Sequence, residues 1–138
     1  MFIDPTTENG RFLLERNITG SVVMLNLLRF RDTADYSNYP ELAPPEAISG
    51  RDAYDLYVAH TLPFLTAARG EVQFLGDGGR YFIGPLEDRW DMVMLVRYPS
   101  LQAFLGVAQD TEYLAGLGHR TAALEDSRLL PMVERART

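Results

Sequence analysis

The stretch SVVMLNLLRFR, Ser21 to Arg31, is the longest apolar run in the chain, and the rest of the sequence is read outward from it. It is rich in Val and Leu, and a turn-like Thr19-Gly20-Ser21 leads into it. Such a run predicts a strand buried on both faces, central in a sheet. Side chains alternate along a strand, so Val22, Met24, Asn26, Leu28 and Phe30 form one face. Val23, Leu25, Leu27, Arg29 and Arg31 form the other. Asn26 interrupts an apolar face and must find hydrogen-bond partners there.

Upstream, Asp4-Pro5 reads as a helix start, with Asp as N-cap and Pro at the first helical position. Residues 1–20 are expected to be a helical extension. Downstream, residues 32–50 hold Pro40, Pro44 and Pro45 with Tyr36 and Tyr39, and show no periodicity. A connection of that length is a lid, a binding loop or disordered, and the two tyrosines favour a packed cover over a cleft. Ser49 caps a helix from about Gly50 to Arg69, closed by Gly70. Ala53, Leu56, Tyr57, His60, Phe64 and Ala67 fall on one stripe of it. Pro63 is expected to kink or split this helix.

Glu71 to Leu75 alternates as a strand, and Asp77-Gly78-Gly79 is a hairpin signal that predicts a second short strand at Tyr81 to Ile83. Asp91 to Tyr98 is another buried strand, stopped by Pro99. Ser100 caps a helix through LQAFLGVAQ, and Asp110 caps its continuation. A helical piece follows from His119 to Leu124, and Arg128 to Val133 is the last strand. Two βαβ units with right-handed crossovers give a ferredoxin-like α+β sandwich. It has an antiparallel four-stranded sheet plus an extra hairpin strand. The first and third strands are central neighbours, which this reading runs parallel.

The 138 residues predict a single domain over 1–138, large enough to bury a core unaided. There is no cysteine, which removes disulfides and thiolate chemistry. All 13 basic residues are Arg, so no lysine is present to form a Schiff base. A net charge of -6 argues against nucleic acid and anionic membrane as partners. No segment approaches the ~20 apolar residues of a membrane span. The acidic, polar start MFIDPTTENG is unlike a secretory signal, so a cytoplasmic location is expected.

Six pieces taken together carry a family resemblance. They are IDPT at 3–6, VVMLNLLRFRDTADYS at 22–37, PELAP at 40–44, ISGRDAYDLYVAHTLPFL at 48–65, IGP before RWDMVMLVRYPS at 89–100, and HRTAALEDSRLLP at 119–131. Over nearly its whole length the chain resembles an uncharacterised domain-of-unknown-function family in the dimeric α/β-barrel superfamily. The resemblance implies a ferredoxin-like subunit whose sheet pairs with that of a second copy to close a barrel. The wider superfamily includes cofactor-free monooxygenases, haem-handling enzymes and small-molecule isomerases, so the fold does not select a reaction.

His60 and His119 are the candidate general bases, because an unperturbed imidazole titrates near neutrality. His60 shares its helical stripe with Tyr57, where a histidine satisfied by backbone groups is the plainer explanation. His119-Arg120 would either bind a carboxylate or cap neighbouring elements. No HxH, HxxxH or HExxH spacing exists, so no metal site is predicted. There is no GxSxG elbow, and Gly76 to Gly79 is not followed by a helix start, which excludes a phosphate loop. Arg29 and Arg97, each near the end of a central strand, are expected side by side, held by an anion or by carboxylates. Trp90, the only tryptophan, would stack on a ligand or on the core. The site assigned from sequence has His60 as proton acceptor on the helix side, with Asn26 orienting the substrate or the base. Arg29, Tyr57, Trp90, Arg97, His119 and Arg120 are its ligand contacts, with no metal or organic cofactor. Three functions fit: a cofactor-independent enzyme acting on an aromatic or acidic metabolite, a small-ligand binding module, and a homodimer serving protein interaction.

Overall fold

In the computed structural model, which describes residues 1–136, the apolar run forms β1 (Val22–Phe30). Around it lie α1 (Thr7–Glu15), α2 (Gly50–Ala67), β2 (Glu71–Arg80) and β3 (Arg89–Tyr98). The chain continues through α3 (Leu101–Ala108), α4 (Thr111–Leu114), α5 (Leu117–Ala123) and β4 (Leu124–Met132). The sheet order is β2-β3-β1-β4, and every neighbouring pair is antiparallel. With α2 crossing from β1 to β2, and α3 to α5 crossing from β3 to β4, this is the ferredoxin-like topology.

The burial of β1 alternates strictly. Val22, Met24, Leu28 and Phe30 are buried under the helices in two apolar clusters. One gathers Leu65, Val96, Tyr98, Leu101 and Val107 around Val22 and Met24. The other gathers Ala53, Tyr54, Ala123 and Leu124 around Leu28 and Phe30. Asn26, on the same face, falls between them. Each fully buried aliphatic side chain contributes roughly 1.5–3 kcal/mol. A helix cap such as Ser49, whose Oγ accepts from the Asp52 N–H, contributes about 1 kcal/mol. Packing therefore decides the layer, and the caps decide where helices begin.

Several expectations need correction. β1 and β3 run antiparallel, with Val23 opposite Arg97. A βαβ unit makes its two strands parallel, but β3 is inserted between them and returns from β2 as a hairpin partner. No hairpin turns at Asp77-Gly78-Gly79, and no extra strand forms at Tyr81 to Ile83. Instead β2 continues to Arg80, and residues 81–88 make the turn. Gly78 serves close approach: a Cβ there would collide with the Trp90 carbonyl. At the N-terminus Thr6, not Asp4, caps α1, its Oγ1 accepting from the Asn9 N–H. β3 starts at Arg89 and β4 at Leu124, both earlier than the apolar pattern shows, because polar residues, Arg89 in β3 and Glu125 to Ser127 in β4, interrupt that pattern.

α2 presents Gly50, Ala53, Tyr54 and Leu65 to the core, while Leu56 is exposed, so the buried stripe is rotated from the expected one. Pro63 remains inside α2 without splitting it. The loop after β1 is packed: Ala34 N–H donates to Ile48 O and Asp35 N–H to Ala122 O, both at 2.9 Å. Among the described residues no helix is long and apolar enough to cross a membrane.

Candidate functional site

The residues singled out from sequence separate into two places, and a third place holds none of them. The first lies under the helices. Asn26 is buried, and its Nδ2 donates to the Met24 carbonyl at 3.2 Å. His60 lies where α2 meets α4, its Nε2 2.9 Å from Glu112 O and 3.1 Å from Tyr113 O. A carbonyl only accepts, so Nε2 carries the proton, and the ring ties two helices together. Tyr57 Oη and Tyr113 Oη are 2.7 Å apart. Burial first, then the neighbouring Tyr57, pushes the Tyr113 hydroxyl well above the ordinary tyrosine range. His119 pairs through Nδ1 with Tyr36 Oη at 2.7 Å, a contact that clamps the long loop onto α5. Burial, and then the nearby His60, lowers the His119 pKa, so its imidazole is neutral at pH 7. Arg120 is spent on structure, donating to the Ile3 carbonyl and to Ser127 Oγ.

The second place is the open face of the sheet. Cross-strand register puts Val23, Leu25 and Leu27 beside Arg97, Leu95 and Val93 on one side, and beside Met132, Leu130 and Arg128 on the other. Phe74 extends the row next to Leu95. Among the described residues no helix covers these side chains, and Phe74 and Leu130 are 52% and 53% exposed. A hollow of about 330 Å³ opens here, lined by Val23, Gln73, Leu95, Arg97, Met132, Val133 and Glu134. Arg97 is its cation; Nη2 donates to Ser21 Oγ at 2.7 Å, and Nη1 is 3.8 Å from the exposed Glu134 carboxylate.

Arg29 is not beside Arg97. The antiparallel register sets Arg97 against Val23, so six residues of strand, about 20 Å, separate the two arginines. Arg29 belongs to the far end of the same face, 3.6 Å from the buried Asp126 carboxylate and over the Trp90 ring at 4.7 Å. Arg128 lies against the same ring at 5.2 Å and against Asp126 at 2.7 Å. Trp90 is thus buried among guanidiniums, its Nε1–H donating to Tyr81 Oη. Burial opposes ionisation of Asp126, but the Phe2 and Ser127 N–H groups and Arg128 outweigh it and hold the carboxyl below the usual range. The sequence reading missed Asp126 and Arg128. Their signal was the alternation EDSRLL, hidden because charged residues on a strand face read as solvent-facing.

The third place is a cleft of about 480 Å³ at the end of β1, lined by Phe30, Arg31, Asp32, Ser49, Arg51, Arg89 and Asp91. Sequence reasoning named none of the seven as a site residue, because they come from three separate segments and meet only in the fold.

Fold and charge distribution define an α+β chain with a ferredoxin-like sheet and one open apolar face. No protein-family model matches the sequence, and no curated protein does. Among solved structures, two crystal structures of RPA0582, a protein of unknown function from Rhodopseudomonas palustris, match at 34% identity. The structure of the methylated protein covers 98% of this chain and 96% of its own, with a TM-score of 0.84; the other covers 98% of both, with 0.81. The chain belongs to the family of RPA0582. A hypothetical Arabidopsis thaliana protein shares the fold at 10% identity and a TM-score of 0.51, over 87% of this chain and 93% of its own.

Proposed function

We propose that the chain forms a homodimer of the α/β-barrel type, closed from the open faces of two sheets, and binds a small aromatic or otherwise apolar acid in the space enclosed. The observation that carries this is Arg97 in the wall of an apolar hollow on an uncovered sheet face. A contiguous apolar face of this extent is rarely left to water, and two-fold pairing is the usual way to cover it. Apolar walls with a few convergent polar groups are the usual form of a small-molecule site. The Arg97–Glu134 contact is long and its carboxylate exposed, so a ligand carboxylate can replace Glu134 at little cost. Benzoate- and phenylacetate-type acids are expected to raise the melting temperature, a ligand at 100 times its Kd adding about 2.7 kcal/mol. Arg97→Ala should abolish the shift and Arg97→Lys should keep part of it. A panel of such acids that leaves the melting temperature unchanged would sink the reading.

The Tyr36–His119 pair favours a second reading, a cofactor-independent enzyme. His119 is held through Nδ1 alone, by Tyr36, so among the described residues its Nε2 has no hydrogen-bond partner, whereas the Nε2–H of His60 is committed to two carbonyls. Asn26 would then orient a substrate only after releasing the Met24 carbonyl. Once a turned-over substrate is found, His119→Gln should bind it without converting it; full turnover by that variant removes this reading.

A further inference from the structure

We propose that the cleft between the end of β1 and the start of α2 is a phosphate-binding site, for the free ion or a small phosphomonoester. This goes beyond the open-face reading and uses none of its residues. The chain is net acidic, yet Arg31, Arg51 and Arg89 converge here from three separate elements. Two carboxylates share the lining. Asp91 is already committed: Oδ2 accepts from the Phe30 N–H at 2.8 Å, and Oδ1 faces Arg89 Nε at 3.2 Å. Asp32 is exposed at the rim. Arg89 also faces Glu125 at 3.6 Å and is the most occupied of the three.

The other two arginines are available. Among the described residues Arg31 makes no ion pair, though it lies near enough to Asp35 to help stabilise that carboxylate, and its backbone is fixed by bonds to Ala123 O and from Gly50 N–H. Arg51 has one long contact, 3.7 Å to the exposed Asp77, and its guanidinium lies over the Phe30 ring at 4.9 Å. Stacking presets that guanidinium without using its N–H donors. The first turn of the 18-residue α2 opens on the same cleft and adds a partial positive charge.

The geometry separates phosphate from carboxylate. One bidentate arginine saturates a planar carboxylate, whereas a phosphate offers three oxygens and up to two charges to donors arriving from different sides. The volume of about 480 Å³ leaves room for a small organic group beside the phosphate.

The test is calorimetric titration of the full chain at pH 7.5 and constant ionic strength, using inorganic phosphate, phenyl phosphate and benzoate. Saturable binding of phosphate or phenyl phosphate is expected. It should weaken about tenfold in each of Arg31→Gln and Arg51→Gln and recover partly in Arg51→Lys. Both side chains are exposed, so the variants should keep the parent melting temperature. Tighter phenyl phosphate than phosphate identifies an ester as the ligand; equal affinities identify the free ion. Arg97→Ala should leave phosphate binding intact, which keeps this site separate from the one on the open face. Absence of saturable phosphate binding, binding unchanged in the Arg31→Gln/Arg51→Gln double variant, or benzoate binding that the double variant abolishes as fully as that of phosphate would each overturn the proposal.

Discussion

Asp126 shows how much one buried carboxylate organises. It accepts from the Phe2 and Ser127 N–H groups at 2.9 Å, and it faces Arg128 at 2.7 Å and Arg29 at 3.6 Å. Removing it strands two guanidiniums and two N–H donors, so Asp126→Ala is expected to cost on the order of 3 kcal/mol by chemical denaturation. The sign of its pH dependence follows from its lowered pKa. The native state binds fewer protons than the unfolded chain, so the contribution is complete above the ordinary value of 3.8. It is lost as the pH falls through the lower native value. Acid unfolding curves should therefore show a steeper loss below about pH 4 in the parent than in Asp126→Ala. A variant as stable and as acid-sensitive as the parent would show that the network contributes nothing.

At the scale of elements, β2 is the instructive strand. Its second half, GDGGR, has almost no side chains to pack, yet it stays in register opposite β3 through Arg80. Gly78→Ala is expected to destabilise by roughly 2–4 kcal/mol, since its Cβ meets a carbonyl and not a flexible side chain. Thermal unfolding of that variant within a degree of the parent would refute the close-approach explanation. Glycine pairs carry a turn signal in sequence because they are free to bend. Nothing local says that a neighbouring backbone will instead press against them, which is why the sequence places the turn at 77–79 and the structure at 81–88. β1 was legible for the opposite reason: its alternation is a property of the strand alone. The Ser49, Ser100 and Asp110 caps were legible too, because a cap bonds within three residues of itself. Rotation of α2 was not, since it depends on Tyr54 reaching Phe30, with ring centroids 5.5 Å apart.

For the whole molecule, the uncovered sheet face dominates. Leu25 lies at its middle, between Leu95 and Leu130. Sedimentation should find a dimer at micromolar concentration, and Leu25→Asp should give a folded monomer, because the substitution leaves the helix-side core untouched. A monomeric parent would remove the basis for a barrel. The candidate site was legible only in part. Arg97 and Trp90 stand out as single residues, but their partners are fixed by register. Inverting one strand direction moved Arg29 from beside Arg97 to the other end of the sheet.

The two outer strands have a further consequence, for solubility. Each edge of a sheet is a template on which a foreign strand can grow. On β2 the exposed Val72, Phe74 and Leu75 would invite this, but the register shifts between Val72 and Phe74, so a straight incoming strand meets a kinked rail. Beyond it, Gly76 to Gly79 offers little for a stacked side chain to grip. On β4, Pro131 withholds a donor in the stretch where Leu129 and Leu130 are exposed. Each border is thus blunted, β2 by a register shift and β4 by a proline, which disfavours edge-to-edge growth while the open face stays apolar.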